Sequence, residues 1–209
     1  MDNRKTVFLI VGQTASGKDS LVNAMCQLYL KTVTDICFAD GDSEDEEWTM
    51  TSYAPYKQLV SYTTRPRREN EGDTHIFISP DEVNKYKDDI VAYTKIGEYE
   101  YFATKQQLYN CDFYIIDYLG ILLLKSNNLD DEFRFVTIYI NTPYAIRKER
   151  ALLNRKDNEE VFSLRNQNEA YQFACMKKQA DFDYSINNIN FDKALKILKH
   201  IVEVENETI

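Results

Sequence analysis

With 209 residues, 44% of them apolar, the chain has material for one substantial domain carrying a small inserted lobe, rather than for two independent domains. Its formal charge of −9, from 25 basic and 34 acidic residues, excludes a chain-wide basic surface for nucleic acid or an anionic membrane. No apolar run approaches the roughly 20 residues that span a bilayer, Thr6–Val11 is too short for a signal-peptide core, and Cys26, Cys37, Cys111 and Cys175 lie too far apart for a zinc motif or a disulfide framework. The expectation is a soluble cytoplasmic protein with neither nucleic acid nor membrane as partner.

In chain order, strand and helix alternate. Thr6–Val11 is a continuous apolar run of the kind buried on both faces of a parallel sheet. A glycine-containing turn follows, then a helix over Ser20–Leu30 with Leu21, Met25 and Leu28 at helical spacing. Residues 40–47, with six acids among eight, predict a solvated surface loop, because calcium sites need spaced ligands around a glycine turn. Between about 58 and 104, short segments rich in Tyr, Ile and Phe alternate with turns and predict a small mixed sheet outside the main one. Ser79-Pro80-Asp81-Glu82, Thr104 with Gln107, and Thr142-Pro143 each mark a helix start. Phe113–Asp117, Arg134–Ile140 and Tyr184–Ile186 read as further strands, and Phe191–Val204 as a closing amphipathic helix. The pattern is α/β with a parallel sheet.

The turn after the first strand reads Gly12-Gln13-Thr14-Ala15-Ser16-Gly17-Lys18, which fits the first seven positions of G-x-x-x-x-G-K-[ST]. Glycines let the backbone wrap phosphate oxygens, amides point inward, the lysine reaches the β/γ-phosphates, and the following helix aims its positive end at the anion. The next position is Asp19, where a Ser or Thr hydroxyl usually ligates Mg²⁺, followed by Ser20. Asp19 holding the ion, directly or through water, and Ser20 contacting a phosphate are both open.

Downstream, Ser61-Tyr-Thr-Thr64-Arg65-Pro66-Arg67-Arg68-Glu69 places three arginines in four residues, a fork-donor cluster suited to a phosphate dianion. Taken with Gly72-Asp-Thr-His75-Ile-Phe77, the stretch resembles the S-x-T-T-R-x-P-R…G-x-x-Y-x-F signature of guanylate kinases. Tyr101-Phe-Ala-Thr104 is similar to that family's Y-x-G-[ST], Asp117-Tyr-Leu-Gly120 to its D-x-x-G, Arg150, Arg155 and Arg165 to its lid arginines, and Asp183–Asn188 to its F-D-x-x-x-x-N-[DN]. The resemblance covers nearly the whole chain apart from about 35–57.

It implies a P-loop NTPase fold: a central parallel sheet flanked by helices, a small mixed-sheet monophosphate-binding lobe and a helical lid. The core would lie at about 1–34, 105–145 and 180–209, the acidic insertion at 35–57, the lobe at 58–104 and the lid at 146–179. It implies a monomeric or homodimeric kinase using ATP with Mg²⁺ and GMP or dGMP. Residues 12–20 would hold ATP, with Asp19 a metal ligand. Ser61, Arg65, Arg67 or Arg68, His75, Tyr101, Thr104 and Asp117 would hold the monophosphate. Lys18, Arg65, Asp117, Arg150, Arg155 and Arg165 would carry the transfer; from their own pattern the last three read equally as helix-surface arginines. The sequence departs from the family where Ala92 stands for the guanine-reading acid, His75 for a phosphate-touching tyrosine and Ala103 for a glycine. The expectation is therefore a guanine preference weaker than the family's. Two alternatives remain: a kinase for another (deoxy)nucleoside monophosphate or small phosphate acceptor, and a catalytically inactive protein-binding module. The intact Gly12–Lys18 turn argues against the module, and the absence of N-K-x-D argues against a regulatory GTPase.

Overall fold

The apolar N-terminal run forms β1 (Lys5–Val11), every residue of which from Thr6 onward is buried. A computed structural model describes residues 4–38, 47–67 and 75–207, with only the backbone of 34–38 and 47–51. Helix α1 (Lys18–Leu28) follows the glycine turn, beginning two residues before the predicted start. The chain then makes an antiparallel hairpin, β2 (Leu30–Phe38) and β3 (Glu47–Pro55), in register from Leu30↔Pro55 to Phe38↔Glu47. The sequence reading contained no strand here. The predicted acidic loop lies between β2 and β3 in sequence and, apart from Glu47, outside the described residues.

The predicted small sheet is present: β4 (Tyr62–Thr63), β5 (Ile76–Phe77), β6 (Ile90–Ile96) and β7 (Tyr99–Thr104) in the order β5-β4-β7-β6, mixed parallel and antiparallel. Ser79 closes its capping box on Glu82, but the helix it starts, Pro80–Tyr86, is 3₁₀. Thr104 and Gln107 cap α2 (Lys105–Tyr109) reciprocally. Strand β8 (Phe113–Ile115) stops short of Asp117, which instead N-caps α3 (Tyr118–Ser126). After β9 (Phe133–Asn141) come α4 (Tyr144–Glu149), a π turn over Arg150–Asn154, and α5 (Glu159–Gln179). Strand β10 (Tyr184–Asn187) and α6 (Phe191–Glu207) close the chain. Among the described residues no helix is long and apolar enough to cross a membrane.

The central sheet runs β10-β9-β1-β8 and is parallel throughout. Alternation along β1 feeds two cores. Val7, Leu9 and Val11 pack with Ile121 and Leu124 of α3 and Phe173 and Met176 of α5, while Phe8 and Ile10 pack with Leu21 and Met25 of α1 and Leu198 and Val202 of α6. Each such side chain fully buried contributes about 2 kcal/mol. The chain places β8 on one side of β1 and β9 on the other, so the winding reverses at β1. The C-terminal end of that strand is the switch point where open α/β sheets bind ligands, and Gly12 stands there.

Asp112 ties the hairpin root to this sheet. Its carboxylate accepts from Lys5 Nζ at 2.9 Å, Lys31 Nζ at 2.6 Å and the Lys57 amide at 2.9 Å. Burial alone would raise its pKa, but the two ammonium groups and the amide outweigh it and hold the carboxyl below its ordinary value. The native state therefore binds fewer protons than the unfolded chain, so this stabilisation is present above the ordinary carboxylate pKa of about 3.9 and is lost as pH falls through the lower native value. Asp112→Asn should lower stability at neutral pH by on the order of 2 kcal/mol and flatten the acid limb of a melting-temperature profile. An unchanged acid limb would show that the trio contributes nothing.

Candidate active site

The turn from Gly12 to Gly17 is held from outside by its carbonyls. Ser16 O accepts from Thr142 Oγ1 at 3.0 Å, Asn188 Nδ2 at 2.8 Å and Arg150 Nη1 at 3.3 Å; Thr14 O accepts from Arg147 Nη1 at 3.3 Å. In a trans peptide the N–H points opposite to the C=O, so the Ala15 and Gly17 amides face away from these tethers. Gly17 adopts φ +89°, and a Cβ there would lie 2.5 Å from Asn188 Nδ2; at Gly12 a Cβ would lie 2.7 Å from Ile140 O. Both glycines are therefore demanded by the fold of the loop. No side chain caps α1, which leaves its first-turn amides to an incoming anion.

Lys18 Nζ lies across the loop, donating to Gly12 O at 2.6 Å and Gln13 O at 3.3 Å. Burial pushes its pKa below that of an ordinary lysine, with Asp19 and Glu169 opposing. One loop amide already holds an anion: Thr14 N donates to Glu169 Oε2 of α5 at 2.7 Å.

Two adjoining cavities open over this loop, of about 610 and 380 Å³. Ala15, Asp19, His75, Tyr101, Arg155 and Arg165 line both. Gly17, Ser20, Arg65 and Arg150 line the first; Thr14, Lys18, Ser61 and Asp117 line the second. Arg65 is buried, with its guanidinium 5.4 Å from the Phe77 ring centre and Nη1 donating to Pro66 O at 2.9 Å. Ser61 Oγ stands 3.0 Å from His75 Nδ1, and the imidazole meets Tyr101 edge-on at 5.5 Å. Asp117 Oδ1 accepts from Gly120 N at 2.6 Å and Thr94 Oγ1 at 3.1 Å, so the carboxylate that starts α3 also forms part of the cavity wall.

Other residues named from the sequence sit elsewhere. Thr104 is buried and spends its hydroxyl on the cap of α2, away from both cavities. Gln13 and Ser16 serve the loop through their backbone, and Arg67 stacks on Phe77 at 4.5 Å, outside both linings. Arg68 lies outside the described residues. Arg150 faces the first cavity but donates to Ser16 O and, at 2.9 Å, to Asn188 O, so in this conformation it braces the loop. Arg155 pairs with Asp157 at 3.1 Å. Among the described residues no group of three or more His, Cys, Asp or Glu gathers to hold a metal; Asp19, exposed on the first turn of α1, is the carboxylate that the loop itself presents. Sequence reasoning missed Arg147, which is buried and bridges Thr142 O, Thr14 O and Asn166 Oδ1, and Glu169. Neither carried a signal, because their partner in the loop, Thr14, lies 133 and 155 residues away.

No protein-family model matches the chain. Among curated proteins it is similar to the guanylate kinase of Polaromonas sp. strain JS666, 26% identical over 98% of this chain and 90% of that one. It is likewise similar to that of Escherichia coli K12, 25% identical over 96% and 88%, and that of Histophilus somni, 23% identical over 99% and 91%. The solved guanylate kinase of Anaplasma phagocytophilum shares the fold, with a TM-score of 0.59 and 14% identity over 98% of this chain and 87% of that one. The chain is thus similar to guanylate kinases along nearly the whole length of both, and it shares the fold of a solved one.

Proposed function

We propose that the protein is an ATP-dependent nucleoside monophosphate kinase that moves the γ-phosphoryl of ATP onto GMP or dGMP. The observation that carries this reading is the adjacency of two cavities over the glycine loop with His75, Tyr101, Arg155 and Arg165 as shared walls, Arg65 opening on one and Lys18 and Asp117 on the other. The loop amides and Lys18 would take the donor phosphates, with Arg65 gripping the acceptor phosphate beside His75 and Tyr101. Arg155 and Arg165, on the walls shared by both cavities, would neutralise charge on the transferring group. Such transfer needs positioning and electrostatics and little covalent work from the protein, so no general base is required. Asp117 would orient the acceptor.

Mg²⁺ binds by one or two carboxylates plus substrate phosphates and water, which Asp19 beside the loop suits. When bound with ATP it would neutralise the phosphate charge. The reading carries with it a cytoplasmic location and a monomer or homodimer as the working unit.

The test is a turnover panel of ATP and Mg²⁺ with GMP, dGMP, AMP, dAMP, CMP, UMP and dTMP. GMP or dGMP is the expected best acceptor. A chain that phosphorylates none of them overturns the kinase reading.

A further inference from the structure

Ala92 leaves the acceptor cavity without the carboxylate that the family resemblance leads one to expect, and the structure offers a different polar group beside that gap. Ala92 is buried on β6, in register with the equally small Ala103 of β7. Tyr114, from the middle of β8, packs in the same apolar cluster and lines the same cavity as Ala92, Thr94 and Asp117. It is 95% buried, from a relative exposure of 5%, and its phenol makes no hydrogen bond among the described residues. Its neighbours on β8 do not share this character: Phe113 lies wholly in the opposite core and carries no polar atom. Burial and the nearby Asp117 push the Tyr114 phenol up from its ordinary pKa, so it stays a neutral hydroxyl able both to donate and to accept. The hydroxyl oxygen is not among the fully buried polar atoms left without a partner, so it opens on the cavity that Tyr114 lines, where a ligand can reach it.

We infer that Tyr114 is a specificity-determining residue of the acceptor site, its hydroxyl bonding the edge of the nucleobase in the space that Ala92 leaves open. The inference rests on the kinase reading above. Asp117 contributes beside it, with Oδ1 held by Thr94 and Gly120. A site that hydrogen-bonds its substrate through a buried group rejects analogues that strand that group. Preference for one base can therefore survive the loss of an acid at position 92.

The experiment compares wild type with Tyr114→Phe, which keeps the ring in its apolar cluster and removes one oxygen. Calorimetric titration of GMP and of AMP is paired with steady-state kinetics for GMP, AMP and ATP. Tyr114→Phe should weaken GMP binding and raise the KM for GMP by about 10- to 100-fold. The ratio of GMP to AMP affinity should narrow, while the KM for ATP and the melting temperature stay unchanged. A structural role would move the melting temperature and leave the base ratio alone. Unaltered GMP affinity and unaltered base ratio in Tyr114→Phe, with wild type active, overturn this inference and leave the kinase reading standing. A wild type that binds GMP without phosphorylating it overturns the kinase reading, and the two titrations still decide the role of Tyr114. A wild type that binds no nucleotide overturns both.

Discussion

Lys18→Ala should lower phosphoryl transfer by at least about 100-fold, the scale seen when one preorganised donor is removed from a site where charge develops. The ammonium sits at the loop, within 2.6 Å of Gly12 O and 3.3 Å of Gln13 O, so a bound triphosphate would meet it at short range. It is half-buried, and desolvation lowers its pKa below that of an ordinary lysine. In such surroundings a single charge acts far more strongly on phosphate oxygens than it would in bulk water. The fold should survive, because the loop is braced from outside by Thr142, Asn188, Arg150 and Arg147, none of which depends on Lys18. Turnover assays on a variant with unchanged circular dichroism check this. Near-normal turnover would remove Lys18 from the chemistry and with it the reading of the loop.

Arg65→Ala should raise the KM for GMP by roughly 10- to 100-fold, the loss of a charge-assisted contact worth about 1.5–3 kcal/mol, and leave the KM for ATP within a few-fold. The guanidinium is held in place before any ligand arrives, by its burial, by Pro66 O and by the Phe77 ring. Little side-chain entropy would then be lost on gripping a phosphate. Arg65→Lys keeps the charge but not the fork, and should recover only part of the loss. An effect confined to ATP would assign Arg65 to the donor side of the shared walls.

The two variants divide what the sequence showed clearly from what it did not. The Gly12–Lys18 loop was legible because its chemistry is local: adjacent residues set the strand, the turn and the helix that follows. The caps at Ser79 and Thr104 were legible for the same reason, each being a bond across three residues. Helix α3 was hidden by Leu119, Leu122 and Leu123, which are exposed and blur the period set by Ile121 and Leu124. Helix α5 falls within the helical lid that the family resemblance implies at 146–179, but its own pattern gives little signal, with only Phe162, Phe173 and Met176 buried along 21 residues. The hairpin of β2 and β3 was not read from the sequence because the six acids of 40–47, between the two strands in sequence, dominated the composition of the segment.

By itself, then, the sequence determined the class of fold, the glycine loop on the first strand and the arginine cluster downstream, since each is written in neighbouring residues. Only the tertiary structure decided that Thr142 and Arg150 brace the loop, that Thr104 serves a helix cap, that Glu169 rests on the Thr14 amide, and that Tyr114 and Ala92 line one cavity. Those facts depend on which side chain of a strand turns inward and which distant groups compete for the same donor. Such choices are made by packing across a hundred residues or more, and no local pattern records them.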